Sequence, residues 1–488
     1  MIERANARYA LNAFAPLAIF VLVFLSGFIT TKVYQVPVPR VHDEFAYLLA
    51  ADTFASGRIT NPPNPEPLLL ETFHVIQHPT YQGKYPPGQG FFLAIGQRVF
   101  GHPAFGIWLA MAIATAAMLR ILMRYGPLWA SVALSLTPLL CPPLFWQWTQ
   151  SYWGGGAAYA GAALFLLGIT ESLQRPTRLA ALAGMLGLLL LSQTRPLEGG
   201  LTAALMLLLA WVLAGKSHRA PLWKITIWMA AAGGIALTWT LFYNHTLTGN
   251  ALDFPHRHWA KGVRAAGLPE QLRTYTGSKP RTDLEELLRA GRYFIGPVLI
   301  FLLPGLVLVK DRAKWIGGLL VVLLLTGISI RISAAHPHYL APGLPLVILL
   351  IAAAWLALWQ HPRTRIVAGL ILALHLAVGA GSILHRIAQR PGWDRFDERQ
   401  DIITKLQEKP GEHLIFVRYT PGHDVHAEYV YNAADPARAP IIWAREGTAP
   451  QRADLMRVYP DRQHWLLKAD QRPNALQPYP QDGIPERE

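Results

Sequence analysis

The sequence predicts an α-helical polytopic membrane protein with about 11 transmembrane helices and a small C-terminal α/β domain. Three observations support this fold class. Hydrophobic residues make up 52% of the 488 residues, charged residues only 15% against about 25% in soluble proteins, and apolar runs of spanning length follow one another along the chain. The net charge of +14 is assigned to loops that orient helices in an anionic membrane, so membrane lipids are expected partners and nucleic acid is not.

Each predicted span is an apolar run of roughly the 17–25 residues that cross a bilayer. Two of the runs, Leu179–Gln193 and Leu201–Ala214, are short for this purpose. The complete series is Asn12–Tyr34, Pro103–Leu122, Pro127–Trp146, Ala157–Leu173, Leu179–Gln193, Leu201–Ala214, Leu222–Tyr243, Tyr293–Val309, Trp315–Ile332, Ala341–Trp359 and Ile366–Leu384.

The distribution of lysine and arginine predicts the orientation. Every second loop is short and basic, and such loops remain in the cytoplasm. These loops carry Arg4/Arg8, Arg120/Arg124, Arg175/Arg178, Lys216/Arg219/Lys224, Lys310/Arg312/Lys314 and Arg363/Arg365. We therefore expect a cytoplasmic N-terminus, an outward first loop at 35–102 and an outward tail. The first apolar run is interpreted as a retained anchor, because no small-x-small cleavage site follows it.

Charged and aromatic residues that could carry chemistry all fall on the predicted outer face. Asp43 and Glu44 follow the first span, and Lys84 precedes the Pro86-Pro87-Gly88 turn. Charges at the mouth of a membrane helix usually mark function. The remaining candidates are Tyr152, Trp153, Arg195, Arg331, His338 and Tyr339. Their common side predicts a site that activates a hydroxyl and holds an anionic leaving group.

The charged candidates also have purely structural interpretations. Asp43 and Glu44 could begin an interfacial helix, where acids favour the positive end of the helix dipole. Lys84 could extend its ammonium to the lipid headgroups. Arg195 could form a buried ion pair with Glu198 that holds two helices together. None of these interpretations accounts for the clustering on one face.

The aromatic and histidine candidates leave alternatives open as well. Tyr152 and Trp153 could stack on a sugar or anchor the protein at the membrane interface. His336 and His338 resemble a metal pair, but no acid lies nearby at helical spacing. We therefore assign no metal ligands and no cofactor, and a divalent metal remains the weaker alternative.

Composition changes at about His385, which predicts a membrane domain at 1–384 and a separate domain at 385–488. The second segment contains a helical pattern at Asp397–Lys409 and another at Arg452–Val458. Strand-like runs occur at His413–Tyr419, Glu428–Tyr431, Ile441–Ala444 and His464–Lys468. This alternation is typical of a small α/β domain. It contains neither a glycine-rich phosphate loop nor a nucleophile motif.

The pattern of the first 384 residues resembles the GT-C superfamily of membrane glycosyltransferases. The matching features are the Asp-Glu pair after the first helix, a short amphipathic helix, and Lys84-Tyr85-Pro86-Pro87 before the second helix. Within that superfamily it is most similar to bacterial protein O-mannosyltransferases, aminoarabinose lipid A transferases and RgtA/B/C/D-like enzymes. The resemblance implies the bacterial cytoplasmic membrane as location, with the C-terminal domain periplasmic.

The resemblance also implies roles for individual residues. Asp43 matches the catalytic base, Glu44 supports the site, and Lys84 matches the lysine that faces the lipid phosphate. The implied partners are a polyprenyl-phosphate-linked sugar and an acceptor glycan, lipid or protein. Relatives often have another acid after the third helix, where this chain has Ser151-Tyr152-Trp153 and three glycines, so the acceptor site is open.

Two other classes of protein compete with the enzyme. A transporter or flippase of envelope precursors would account for the many helices and the charges near the membrane. However, the sequence shows no paired halves with matching broken helices. A non-catalytic envelope assembly protein would use the tail to bind partners. Dependence of sugar transfer on Asp43 would separate the enzyme from both.

Overall fold

The structure is a computed structural model that describes residues 2–265, 282–294, 296–309, 312–333, 336–389, 395–423, 427–471 and 475–479. The described residues group into two compact units. The helical unit comprises Met1–Val36, Phe100–Trp239 and Lys279–Arg390. The mixed unit comprises Pro37–Val99, Thr240–Ser278 and Pro391–Glu488. The predicted domain boundary at residues 384 and 385 stays a prediction.

The α-helices are numbered in chain order. The first ten are α1 Ile2–Val33, α2 His42–Ala55, α3 Gly88–Phe100, α4 Ala104–Leu122, α5 Leu128–Ser135, α6 Thr137–Leu140, α7 Pro142–Thr149, α8 Gly155–Gln174, α9 Arg178–Thr194 and α10 Pro196–Leu213. The others are α11 Arg219–Thr248, α12 Pro255–Ala265, α13 Asp283–Phe294, α14 Gly296–Leu299, α15 Arg312–Ser333, α16 Pro337–Leu340, α17 Leu344–Gln360, α18 Arg365–Gln389, α19 Arg395–Gln407 and α20 Ala449–Val458. Short 3₁₀ helices occur at Lys216–His218, Ile300–Leu308, Ala341–Gly343 and Pro436–Arg438.

The helices confirm the polytopic membrane class. Within the described ranges, seven segments are long and apolar enough to cross a membrane. They are Phe14–Val33, Ala104–Leu122, Gly155–Gln174, Pro196–Leu213, Lys216–Thr248, His338–Gln360 and Arg365–Gln389. Two shorter apolar helices, Arg178–Thr194 and Trp315–Ile330, coincide with further predicted spans.

Two predicted spans are interrupted rather than continuous. The run Pro127–Trp146 forms the three short helices α5, α6 and α7, and the run Tyr293–Val309 includes α14 and a 3₁₀ helix. Proline accounts for both interruptions, since it lacks the N–H that a continuous helix requires. Pro142 begins α7, and Pro304 lies inside the 3₁₀ helix.

Helices of the helical unit approach each other closely through glycine. On α8 and α9, a Cβ atom added at Gly168 would lie 2.4 Å from the Cα of Gly184, and one at Gly187 would lie 2.3 Å from the Phe165 nitrogen. Small residues allow such backbone contact, which replaces the hydrophobic driving force that membranes lack. This packing fixes the ends of α8 and α9, near which Trp153 and Arg195 lie.

The mixed unit contains two small sheets. Strands β1 (Val75–Ile76) and β2 (Gln82–Gly83) form an antiparallel hairpin in the first loop. Strands β3 (His413–Arg418), β4 (Ile441–Arg445), β5 (Gln463–Lys468) and β6 (Ala475–Pro478) form a sheet of order β4-β3-β5-β6. The first three strands are parallel and β6 is antiparallel to β5. The helix α20 connects the parallel strands β4 and β5, and α19 precedes β3, which confirms the predicted small α/β domain.

Both faces of this sheet are buried, as parallel sheets require. Leu414 and Phe416 contact Leu455 of α20 on one face, whereas Ile415 and Val417 contact residues of α19 on the other. The run Glu428–Tyr431, predicted as a strand, forms no strand, and β6 was not predicted. The reason for the first error is a competing set of contacts: the backbone carbonyl groups of residues 429–431 accept hydrogen bonds from Thr72 of the first loop and from Arg399 of α19 instead of from a neighbouring strand.

Candidate functional site

The predicted acids begin α2, the first helix of the mixed unit. Glu44 is 2% exposed, and its Oε1 accepts the backbone N–H of Arg40 at 3.0 Å. A carboxylate in the first turn that accepts an N–H from just before the helix stabilises the helix start. Glu44 thus makes a positioning contact for the helix that carries Asp43.

Asp43 presents a partly accessible carboxylate. Its side chain is 33% exposed, and one oxygen lies 3.8 Å from Nε2 of His74. The other oxygen accepts a hydrogen bond from the hydroxyl of Tyr85. A carboxylate that is oriented by two neighbours and still reached by solvent can accept a proton from a hydroxyl brought to it.

The hairpin of β1 and β2 brings the Lys84 segment to α2. Val75 pairs with Gly83, and the Lys84 N–H donates to the His74 carbonyl at 3.0 Å. A Cβ atom at Gly83 would lie 2.5 Å from the Ala46 carbonyl oxygen of α2, so only glycine permits this approach. The pairing places His74, Lys84 and Tyr85 together beside Asp43.

The Lys84 ammonium lies against aromatic rings. Its Nζ is 3.6 Å from the ring centroid of Trp259 and 5.4 Å from that of Tyr85. Burial lowers the pKa of Lys84 to about 7, although the charge of Asp43 acts in the opposite direction. No carboxylate of the described residues lies within ion-pair distance of Lys84, so an arriving anion would find this cation unpaired.

Trp259 belongs to α12, which lies between the predicted spans Leu222–Tyr243 and Tyr293–Val309. His258 fixes this helix, since its Nδ1 lies 2.9 Å from Asp253 and its Nε2 lies 2.9 Å from the His78 carbonyl oxygen. The Trp259 ring also contacts Phe73 and His74, with centroids 5.0 and 5.1 Å away. The result is an aromatic wall around the candidate phosphate-binding lysine.

The opposite side of α2 is held by the segment 428–434. The Ala434 N–H donates to an Asp52 oxygen at 2.7 Å, and the rings of Phe45 and Tyr431 stack at 4.7 Å. Arg399 of α19 donates to the carbonyl oxygens of Tyr429 and Tyr431, both at 3.0 Å. The C-terminal domain therefore positions the helix that carries Asp43.

A buried charge network extends these contacts. Arg445 on β4 forms an ion pair with Glu428 at 2.5 Å and donates to the Glu71 carbonyl oxygen at 3.2 Å. The Arg445 charge holds the pKa of Glu428 below its usual value despite burial. Burial dominates at Glu71, whose pKa rises to about 8. One guanidinium thus keeps one of these two carboxyl groups ionised, and the other is protonated at neutral pH.

The remaining candidates lie in the helical unit. The Arg195 guanidinium is 4.6 Å from the ring centroid of Tyr339, and the rings of Trp153 and His338 are 4.8 Å apart. His338 is 7% exposed and Tyr152 is 2% exposed, so the Tyr152 ring offers no open face to a sugar. Arg331 lies on α15, but its side chain is outside the described part of the protein.

Sequence reasoning missed several residues that the structure places at the site. Tyr85 lies inside the recognised motif, and its position next to Lys84 could have suggested it. His74 and Trp259 carry no such signal because tertiary contacts bring them to Asp43 and Lys84. Arg399 also carries none, because it acts on α2 through Tyr431, which stacks on Phe45. Among the described residues, no group of three or more His, Cys, Asp or Glu side chains could hold a metal ion.

Comparison with known proteins gave matches only among solved structures. No protein-family model matches the chain, and no curated protein sequence matches it. ArnT from Cupriavidus metallidurans in the apo state is 14% identical, with 88% of this chain and 84% of that chain covered and a TM-score of 0.49. The oligosaccharyltransferase AglB from Archaeoglobus fulgidus, in complex with an inhibitory peptide and a dolichol-phosphate, is 11% identical with a TM-score of 0.50.

The match to AglB covers 87% of this chain and 64% of that chain, so the chain spans less than two thirds of the archaeal protein. At this identity the likeness establishes the fold. The chain shares its overall fold with AglB. The shared architecture is that of a multi-pass membrane protein, as the resemblance carried by the first-loop motif predicted.

The contacts of Arg399 predict that the C-terminal domain stabilises the acid-bearing helix. Arg399→Met keeps the aliphatic stem but removes two charged hydrogen bonds, so unfolding of the purified protein should become easier by about 2–4 kcal/mol. Arg438→Met is the matched control, because the Arg438 side chain is 90% exposed and, among the described residues, its ion pair is with Asp435, three residues away. Equal melting temperatures for the two variants would contradict this positioning role.

Proposed function

We propose that this protein is a GT-C glycosyltransferase that moves a sugar from a polyprenyl-phosphate donor to the hydroxyl of an envelope lipid, glycan or protein. The supporting observation is the juxtaposition of a partly exposed carboxylate, Asp43, with a buried cation, Lys84, that has no carboxylate partner among the described residues. AglB shares the fold, and its structure contains a dolichol-phosphate. That lipid phosphate is of the chemical class proposed for the donor here.

In the proposed reaction the acceptor hydroxyl attacks the anomeric carbon of the donor sugar. Asp43 takes the hydroxyl proton as the new carbon–oxygen bond forms. The bond between the anomeric carbon and the phosphate oxygen breaks, and its electron pair leaves with the polyprenyl phosphate. Lys84 stabilises the charge that develops on that phosphate. Glu44 and Tyr85 keep Asp43 in position.

Asp43→Asn tests the base directly. The substitution keeps the volume and removes the proton acceptor, so transfer should fall by about 10²–10⁴-fold while donor binding is retained. Transfer can be followed by mass spectrometry of envelope glycans in cells that carry the variant. Asp454→Asn, on the exposed surface of α20, is the control and should leave transfer unchanged. Near-normal transfer by a correctly inserted Asp43→Asn protein would remove Asp43 from this role.

If Lys84 and Arg195 bind the donor phosphate, removing either charge should lower the affinity for the donor lipid. Lys84→Ala and Arg195→Ala should each weaken binding of polyprenyl phosphate by about 1.5–3 kcal/mol, the contribution of a charged hydrogen bond. Arg195→Lys separates charge from geometry, because lysine lacks the planar fork that grips a phosphate with two bonds. Arg331 is proposed as a further phosphate contact, with His338 and Tyr339 beside the substrate. Unchanged affinity in two well-folded alanine variants would place the phosphate elsewhere.

The pKa of Lys84 predicts a pH dependence of donor binding. In the empty site Lys84 loses its proton as pH rises through about 7, so binding an anion above this pH requires proton uptake. We expect the affinity for polyprenyl phosphate to fall by up to about tenfold per pH unit between pH 7 and 9. Lys84→Arg should flatten this dependence, since guanidinium stays charged. The same slope in both proteins would exclude Lys84 as its source.

We further propose that the protein lies in the bacterial cytoplasmic membrane with its N-terminus inside and the C-terminal domain in the periplasm. The basic short loops support this orientation. Single cysteines placed at Lys216 and Lys224 should be protected from an impermeant thiol reagent in intact spheroplasts. Cysteines at Arg438 and Lys261 should be labelled. Labelling in the opposite pattern would put Asp43 on the cytoplasmic side and contradict the proposed donor.

A further inference from the structure

A large cavity in the helical unit is not accounted for by the proposed chemistry of Asp43 and Lys84. Its volume is about 980 Å³, at the upper end of the range of about 300–1,000 Å³ that is typical of ligand pockets. It is bordered by three parts of the unit: the residues where α6 ends and α7 begins, helix α13, and the last turns of α18. All of its lining residues belong to the helical unit.

The walls of the cavity are held by specific contacts. The Cys141 thiol, at the start of α7, donates to the Tyr293 carbonyl oxygen at 3.1 Å. Gly379 of α18 lies against α6, since an added Cβ atom would be 2.3 Å from the Leu140 carbonyl oxygen. These contacts join α6, α7, α13 and α18 around the space. The cavity is therefore a feature of helix packing.

Three arginines line the cavity, and they give it a positive charge. Arg289 and Arg292 extend from α13, and Arg386 extends from α18 with its guanidinium 4.7 Å from the ring centroid of Trp146. Among the described residues, the only acid in the lining is Glu285, whose carboxylate accepts the Thr282 N–H at 2.8 Å and so caps α13. In the part of the chain that the structure describes, neither Arg292 nor Arg386 has a carboxylate within 4.0 Å.

The Arg289 guanidinium is only weakly satisfied. Its Nη1 lies 3.8 Å from a Glu286 oxygen, beyond hydrogen-bond distance. That nitrogen is buried and has no hydrogen-bond partner among the described residues. A buried guanidinium N–H without an acceptor is costly, and a bound anion would satisfy it. All three arginines thus retain capacity for an anionic ligand.

The rest of the lining is largely apolar. It includes Leu140, Leu288, Val298 and Val378, and α18 is itself a candidate membrane span. The cavity therefore suits a ligand whose anionic group lies at the arginines and whose hydrocarbon chain lies along this apolar wall. A soluble anion would leave the apolar part of the cavity unfilled.

We propose that this cavity binds a lipid that carries a phosphate, with Arg289, Arg292 and Arg386 around the phosphate and the chain against the apolar wall. This inference goes beyond the proposed function, because it assigns a second lipid site whose cations are not those of the donor site. The lipid phosphate could belong to a polyprenyl phosphate or to an anionic phospholipid, and the test distinguishes these sources. Arginine suits the role because its planar fork can grip two phosphate oxygens.

The test measures lipid binding to the full-length protein in neutral phosphatidylcholine nanodiscs by native mass spectrometry. All proteins compared carry Lys84→Ala, which weakens the proposed donor site equally in each of them. Differences in lipid binding between the variants therefore report on the cavity. The ligands are undecaprenyl phosphate, undecaprenol, phosphatidylglycerol and inorganic phosphate. We expect undecaprenyl phosphate to bind at least about tenfold more tightly than undecaprenol or inorganic phosphate.

The double variant Arg292→Gln/Arg386→Gln should weaken binding of undecaprenyl phosphate by about tenfold or more. Arg365→Gln is the matched control, because Arg365 starts the same helix and lies 4.6 Å from the Trp359 ring but does not line the cavity. Competition by phosphatidylglycerol at equal concentration would identify a phospholipid site. Failure of phosphatidylglycerol to compete would identify a polyprenyl phosphate site. Either result supports the inference.

Equal affinity of the double variant and Arg365→Gln would overturn the inference, as would equal binding of undecaprenol and its phosphate. Val378→Trp provides a second variant that fills the apolar wall and keeps every charge. It should also weaken undecaprenyl phosphate binding, and unchanged binding in a folded protein would contradict the site. The Asp43→Asn experiment tests the catalytic proposal separately. Its result does not depend on whether undecaprenyl phosphate binds in the cavity, so the two proposals can fail independently.

Discussion

The candidate site depends on a hydrophobic core shared by two segments far apart in the sequence. Leu69 and Leu70 of the first loop belong to the same buried cluster as Leu414 and Phe416 of the C-terminal sheet. The Arg445 backbone N–H donates to the Leu69 carbonyl oxygen at 2.7 Å, which fixes the loop at the edge of β4. A short loop buries too little apolar surface to order itself. The sheet supplies the missing surface, and α2 and the hairpin acquire their positions from it.

In both proposed phosphate sites, a cationic side chain lies against an aromatic ring and has no carboxylate partner among the described residues. Lys84 lies over Trp259, and Arg386 lies over Trp146. An aromatic face offsets part of the desolvation cost of a cation and leaves its N–H donors available. A carboxylate partner would compete with a substrate phosphate and would have to be displaced. For Lys84, which unlike the exposed Arg386 is largely buried, contact with a ring therefore favours both a stable fold and an available charge.

Much of the helical architecture could be predicted because hydrophobic length is a local property of the sequence. Two spans were predicted as continuous helices but are interrupted at prolines. In these spans the prediction was correct about the apolar run and wrong about the continuity of the helix. The motif likewise predicted Asp43 and Lys84 because both lie within it. Trp259, His74 and Arg399 could not be found this way, since each reaches the site through tertiary contacts. The error at Glu428–Tyr431 has the same origin: its carbonyl groups accept from Arg399 and from Thr72 of the first loop.

Lysine at position 84 has a property that arginine lacks. Burial holds its pKa at about 7 in the empty site, so near neutral pH the cost of burying a full charge is partly relieved by deprotonation. In the reaction proposed above, an arriving phosphate would favour the protonated form of Lys84, so the charge would be present when the leaving group requires it. Departure of the lipid phosphate would remove that stabilisation, and Lys84 would return towards its neutral form. In that proposal the residue facing the phosphate would adjust its charge to the presence of an anion, which a permanently charged guanidinium at the same position would not do.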